Sequence, residues 1–213
     1  MEQEIYKKYP FINRLNVSRE TFSDLDNFVS MIVKKNKDIN IISRKISTKK
    51  VIMERHVIDS VQAIDFIDLN SNTTSDIGSG AGFPGIVMAI ITKNLKKKMK
   101  YNLYEKSYHK TLFLREVSRE LKLDTKVIQS DIFKSKKLNS GTIMSRAFKP
   151  LPTVLDLVNK NFSSYKNLVI FMGRNGQKTL GETLESWDFD FVKKKSITSK
   201  DSFLLNIKNI KKK

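Results

Sequence analysis

The stretch Asp76-Ile77-Gly78-Ser79-Gly80-Ala81-Gly82-Phe83-Pro84-Gly85 constrains this chain more than any other. It follows Thr73, Thr74 and Ser75 and gives way to the apolar run Ile86, Val87, Met88, Ala89, Ile90, Ile91. A β-biased segment that turns through several glycines and resumes as an apolar run predicts a strand, a tight loop and a helix. Glycine permits positive φ and lets the backbone approach a ligand where a side chain would collide, so the loop suits a nucleotide. Pro84 is predicted at the first helical position, where its missing N–H costs nothing.

Gly78, Gly80 and Gly82 are spaced as G-x-G-x-G. The dinucleotide fingerprint is G-x-G-x-x-G, which sets a pyrophosphate on a helix N-terminus. Asp76 is expected at the strand end, where a carboxylate repels phosphate and favours a cationic amino-acid moiety. The acid and the following proline point to S-adenosylmethionine rather than NAD. The glycines alone would equally fit an ordinary tight turn.

At 213 residues the chain can hold one domain with a sizeable core, or a domain plus a small helical extension. Its longest apolar run, Ile86 to Ile91, is far short of a membrane span, and Met1 to Pro10 mixes charged with apolar residues unlike a signal peptide. A cytoplasmic protein without membrane contact is expected. There is no cysteine, which excludes disulfides and thiolate metal sites, and two histidines argue against catalytic zinc. No metal is expected. The formal charge of +18, from 40 Lys plus Arg against 22 Asp plus Glu, creates a field that holds polyanions, although a lysine-rich genome would produce the same surplus.

Phe22, Leu25, Phe28, Val29, Ile32 and Val33 recur at three- and four-residue steps, predicting an amphipathic helix from Thr21 to Lys35 capped by Ser18 or Thr21 and broken at Asn36 to Asn40. A second helix is expected over Lys49 to Ile64, with Glu54, Arg55 and Asp59 outward. A basic turn of Arg44, Lys45, Lys49 and Lys50 lies between them. Residues 1–68 therefore read as a helical extension and 69–213 as the main domain. After Gly85, helices and strands alternate, as a parallel sheet covered on both faces requires. Tyr108 to Leu121 is expected to bury Leu112, Phe113, Val117 and Leu121. Strands are predicted at Val127 and Ile128, at Thr142 to Met144 and at Leu168 to Met172, a helix at Thr153 to Asn161, and a closing hairpin of Phe189 to Val192 with Phe203 to Ile207 and a frayed Lys211 to Lys213 tail.

The loop Asp76 to Gly85 resembles D-V-G-[ST]-G-x-G-[FL]-P-G, the S-adenosylmethionine loop of the RsmG (GidB) family of bacterial small-subunit ribosomal RNA methyltransferases. Three further segments match in order: Arg55-His56-x-x-Asp59-Ser60 resembles R-H-x-x-D-S, Phe113-Leu114-Arg115-Glu116-Val117 resembles F-L-R-x-V, and Ser145-Arg146-Ala147-Phe148 matches S-R-A-F. The resemblance implies an α/β fold of class I S-adenosylmethionine-dependent methyltransferase type: Rossmann-like, with a mostly parallel seven-stranded sheet, an antiparallel terminal strand and a helical N-terminal extension.

Within that fold the expected cofactor contacts are Asp76, Gly78, Gly80, Gly82 and Phe83 in the loop, Glu105 at the second strand end for the ribose, Asp131 and Ile132 for the adenine, and Arg146 beside the reaction centre. His56 is read as a hydrogen-bonded structural histidine joining the extension to the main domain. The RNA-contact candidates are Arg44, Lys49, Arg55, Lys149 and Arg174, the last standing where the family has a Lys-Gly pair.

The family methylates N7 of a guanine in 16S ribosomal RNA, so the expected partner is that RNA or the small-subunit particle, bound by a monomer. N7 already presents a lone pair, so alignment suffices and no catalytic base is assigned. A second reading is a degenerate methyltransferase fold that only binds RNA during ribosome assembly.

Overall fold

The computed structural model describes residues 2–15, 17–43, 48–95 and 98–213. The N-terminal part is helical. Helix α1 (Glu2–Lys8) and a 3-10 turn (Pro10–Leu15) precede α2 (Arg19–Asp38). Ser18 caps α2 by accepting from the Thr21 N–H, one of the two caps predicted. The helix does not break at Asn36. Asn36 is buried inside it and its side-chain oxygen accepts from the N–H groups of Ile41 and Ile42, so the side chain that looked like a breaker ties down the next loop.

The second predicted helix is a composite. Helix α3 (Lys49–Ile52) widens into a π turn (Met53–Ile58), which leads to the short α4 (Asp59–Val61) and a 3-10 turn (Gln62–Phe66). The widened turn carries Arg55 and His56, and π turns of this kind commonly mark functional sites. Asp59 was expected to face outward. It is instead largely buried, accepting from Gln62, Ser196 and Thr198.

The main domain alternates as expected: β1 (Thr73–Ile77), α5 (Gly85–Asn94), β2 (Lys100–Glu105), α6 (Tyr108–Glu120), β3 (Thr125–Gln129), a short β4 (Leu138–Asn139), β5 (Thr142–Arg146), α7 (Leu151–Asn161), a short β6 (Phe162–Ser164), β7 (Asn167–Met172), α8 (Gly176–Ser186), β8 (Trp187–Lys195) and β9 (Phe203–Lys212). Seven strands form one sheet in the order β3-β2-β1-β5-β7-β9-β8, while β4 and β6 pair separately. Strands β3, β2, β1, β5 and β7 pair in parallel, and the chain-terminal β9 runs antiparallel between β7 and β8. Strand order reverses between β1 and β5. Ligands of open α/β sheets bind outside the carboxyl ends of the strands at that point.

Both faces are covered. The N-terminal helices, α5 and α6 share one continuous apolar core with the inner residues of β2, including Phe28, Ile52, Val57, Met88, Leu103 and Phe113. Helices α7 and α8 cover the other face over Ile77, Ile143, Leu168 and Leu205. The start of α6 at Tyr108 is as predicted, but Leu112 is 41% exposed and Leu114 takes the core position, because Leu114 stands three residues before Val117 and seven before Leu121, on the helix face that packs inward. Helix α8 has no counterpart in the sequence reading. The hairpin is also longer than predicted, with Lys211 and Lys212 paired to Asp188 and Trp187 rather than frayed. No helix among the described residues is long and apolar enough to cross a membrane.

Candidate active site

The glycine loop closes at the carboxyl end of β1. Gly78, Gly80 and Gly82 all take positive φ, at +76°, +58° and +100°. A β-carbon on Gly78 would collide with the Phe148 ring, and one on Gly82 would press into Ile86 and Phe28. Two of the glycines thus buy contact with neighbouring rings and helices as well as turn geometry. Pro84 precedes α5 as its N-cap rather than occupying the first helical position; the Phe83–Pro84 bond is cis.

Neighbouring strands anchor the loop. The N–H groups of Gly78 and Ser79 both donate to the Tyr104 carbonyl, at 3.0 Å each. Glu105, at the end of β2, accepts from Gly80 N–H through Oε2 and from Ser107 N–H through Oε1, each at 2.8 Å. One carboxylate therefore fixes both the glycine turn and the start of α6.

Asp76 is placed differently from expectation. Its side chain is fully buried behind the loop, where Oδ2 accepts from the Gly85 N–H at 3.0 Å and Oδ1 has no partner among the described residues. Burial pushes its carboxyl up to about 7, against the lowering effect of the Gly85 hydrogen bond. It supports the loop from beneath and does not line the cavity in front of it. Gly82 lies outside that lining as well.

The cavity has a volume of about 430 Å³, within the usual range for small-ligand sites. Of the expected cofactor contacts, Gly78, Gly80, Phe83, Glu105, Asp131, Ile132 and Arg146 line it. Asp131 opens a 3-10 turn (Ile132–Lys134), accepting from the Phe133 N–H. The hydrogen bond from Lys106, 3.2 Å away, keeps its carboxyl below the ordinary range. Asn161 of α7 holds this turn in place by donating to the carbonyls of Ile132 and Phe133.

Arg146 ends β5 and is nearly buried. It donates to the Arg55 carbonyl at 2.8 Å, pairs with Asp59 at 3.2 Å and approaches His56 Nδ1 at 2.8 Å. Burial lowers its pKa, opposed by Asp59 and then Asp76. The residue after it, Ala147, has φ +50°, a left-handed conformation that costs an L-residue roughly 1–2 kcal/mol, and it also lines the cavity. His56 stacks on Phe83 with ring centres 4.9 Å apart and planes at 25°. Burial first, then Arg146 and Arg55, drive its pKa down to about 4.

The sequence reading missed several lining residues. Phe133 is 42% exposed and stacks on Phe148 at the rim, 6.0 Å between ring centres. Ile41 and Ile42, held by Asn36, reach the cavity from the N-terminal part. Ser130 also belongs to the lining, and its hydroxyl is buried without a partner among the described residues. Aromatic residues closing S-R-A-F and following the third strand end were the available signal for the first pair; nothing local marks the others.

The RNA-contact candidates are dispersed. Lys149 lies on the cavity rim with Lys106 and Lys110. Arg55 is exposed beside the site, its carbonyl engaged by Arg146. Lys49 lies elsewhere, paired with Asp26 at 3.5 Å. Arg174 lines a separate groove with Gln177, Lys193, Lys195 and Lys200. Arg44, with Lys45 of the same basic turn, lies outside the described residues.

Similarity to solved structures shows the fold. A SAM-dependent methyltransferase from Aquifex aeolicus superposes with TM-score 0.57 at 15% identity, over 82% of this chain and 95% of that one. The 16S rRNA methylase RmtB gives 0.52 at 13% identity, over 91% and 76%. Sequence relatives are more informative. The ribosomal RNA small subunit methyltransferase G of Pelagibacter ubique is 62% identical over 211 residues, 99% of both chains, and that of Cereibacter sphaeroides is 32% identical over 195 residues, 92% of this chain and 94% of the relative. With the family model for GidB, rRNA small subunit methyltransferase G, matching residues 21–207, the chain belongs to that family of methyltransferases.

Proposed function

We propose that the protein transfers the methyl group of S-adenosylmethionine to N7 of a guanine in the 16S ribosomal RNA of the small subunit. The observation that carries this reading is the meeting of the glycine loop and Arg146 in one cavity at the strand-order reversal, in a chain of this family. The residues present fit the cofactor. Gly78 and Gly80, both at positive φ, open backbone to the cavity, and Glu105 retains lone pairs for ribose hydroxyls beyond the two N–H groups it accepts. Asp131 suits the adenine's polar edge, with Ile132 and Phe133 as its apolar cover.

When bound, S-adenosylmethionine supplies an electrophilic methyl on a positively charged sulfur. The protein's share is alignment. Glu105 fixes the glycine turn, Asn161 fixes the 132–134 turn, and the Arg146–Asp59 pair clamps the N-terminal helices to the carboxyl end of β5. No base is required, because N7 accepts the methyl without losing a proton, and well-aligned reactants gain several kcal/mol from positioning alone. Asp76 and Gly82 act as supports of the loop. Lys149 with Lys106 and Lys110 offers the rim on which RNA phosphates rest, joined by Arg55 and, away from the cavity, by Lys49 and Arg174; Arg44 is a further candidate on sequence alone. The protein acts in the cytoplasm, as a monomer and without a metal.

The test is transfer of radiolabelled methyl to 16S RNA and to small subunits from a strain lacking the gene, followed by mass spectrometry of the digested nucleosides. We expect label in N7-methylguanosine. Label elsewhere, or none with either substrate, refutes the reading.

A further inference from the structure

The functional reading runs the cofactor along the carboxyl edge of the sheet in the order of the strands. Its adenine lies at Asp131 after β3, its ribose at Glu105 after β2, and its methionine part at the glycine loop after β1. The next strand in the sheet is β5. A nitrogen that approaches the sulfur-bound methyl therefore comes in over the end of β5.

Four consecutive residues from that end line the cavity: Arg146, Ala147, Phe148 and Lys149. Arg146 is already engaged by the Arg55 carbonyl, Asp59 and His56. Ala147 offers only a methyl group, and the exposed Lys149 suits a phosphate. Phe148 alone among the four brings an aromatic surface. Its ring is partly exposed and rests so closely on Gly78 that a β-carbon there would collide with it. It also stacks at 25° on Phe133, which is 42% exposed. The two rings come from turns three strands apart in the sheet and meet at the rim, sharing the cavity's lining with Lys106, Lys110 and Lys149. Accessible aromatics among cations make a surface that holds unpaired nucleotides, stacking the base and neutralising the phosphate.

We propose that Phe148, backed by Phe133, stacks on the target guanine and holds its N7 in line with the methyl group. The inference rests on the N7 reading above. The N7 lone pair lies in the plane of the purine, so a contact through the face of the base fixes that plane and leaves the lone pair free. A hydrogen bond to N7 would occupy it.

Charge favours the same assignment. In the transfer, the N7 lone pair forms the new N–CH₃ bond, the S–CH₃ pair stays on sulfur, and the positive charge passes from sulfur to the purine. The face of an aromatic ring attracts a cation, so the stacking contact strengthens as that charge arrives. A lysine in the same place would oppose it.

The test compares small-subunit RNA with the same RNA carrying an abasic nucleotide at the target position, both bound in the presence of S-adenosylhomocysteine. Phe148→Leu keeps an apolar side chain over Gly78 and removes the ring. It should bind the guanine RNA about tenfold more weakly than wild type and the abasic RNA within about twofold, the loss expected for one base stacked on an aromatic side chain. Its affinity for S-adenosylhomocysteine by calorimetry should be unchanged, and Phe148→Tyr, which restores a ring, should recover binding of the guanine RNA. Equal losses on the two RNAs, or no loss on either, overturn the proposal. So does a tenfold loss of S-adenosylhomocysteine affinity in Phe148→Leu, which would make the ring a cofactor contact. A wild-type arm needs no variant to fold: RNA with 6-thioguanosine at the target position, irradiated in the complex, should cross-link to the peptide carrying Phe148 or the one carrying Phe133. Cross-links confined to other peptides overturn the proposal. If the wild type leaves N7 of the guanine RNA unmethylated, the functional reading fails together with this one; if N7 is methylated and these arms fail, the stacking contact alone falls.

Discussion

Asp76 and His56 titrate in opposite senses, and the signs can be worked out. Asp76 is raised from 3.8 to about 7 by burial, so the folded state holds a proton that the unfolded chain has released, and stability falls as pH rises through that window. His56 is lowered from 6.5 to about 4, so the unfolded chain holds the extra proton and stability rises with pH between those values. From about pH 4 to 6.5 the two slopes cancel in the wild type. Asp76→Asn keeps an acceptor for the Gly85 N–H and removes one slope. We expect its melting temperature, relative to wild type, to climb by several degrees between pH 4 and 7.5, since each kcal/mol is worth roughly 2–4 °C in a chain of this length. Thermal melts across that range check it. A constant offset would mean that Asp76 is not a buried, proton-holding carboxyl.

The π turn is the element on which the site's geometry depends most. In a regular α-helix from residue 49 onward, residues after the turn would be rotated by roughly 100° per residue removed, taking His56 off Phe83 and away from Arg146. Deleting Glu54 is therefore expected to restore a plain helix. The sacrificed Lys8–Glu54 pair, with Lys8 57% exposed, contributes little stability. Far-ultraviolet circular dichroism should remain close to wild type while methyl transfer drops at least about tenfold, the cost of misplacing one alignment contact. Full activity in the deletion would show that the turn's register is irrelevant to the site.

Across the whole molecule, a net charge of +18 and the placement of cations around the carboxyl edge of the sheet favour a polyanion. The groove lined by Arg174, Lys193, Lys195 and Lys200 lies at that edge, because the ends of β7 and β8 and the start of β9 meet there. RNA affinity should fall at least about tenfold between 50 and 200 mM salt, with a linear dependence of log K on log salt. Changing Arg174 and Lys195 together to Glu should weaken RNA binding further and leave S-adenosylhomocysteine affinity unaltered. Filter binding over a salt series measures the first and calorimetry the second; a flat salt profile would remove phosphate contacts from the account.

Much of this protein was legible in one dimension because the relevant physics is local. Positive-φ demands at Gly78, Gly80 and Gly82, the Ser18 cap and the alternation of strands with helices are each settled by neighbours within a few residues. Those signals suffice for the sheet, the loop and the carboxyl edge on which the site sits. Tertiary structure decided what pairs across long separations. Arg146 meets His56 from 90 residues away, and Asp59 receives Ser196 and Thr198 from more than a hundred. No spacing rule anticipates such partners, so Asp59 looked like a surface acid and Asp76 like a ligand. The energetic reason is burial: a charged or polar group tolerates the interior only where distant segments supply its hydrogen bonds, and only the folded chain brings those segments together.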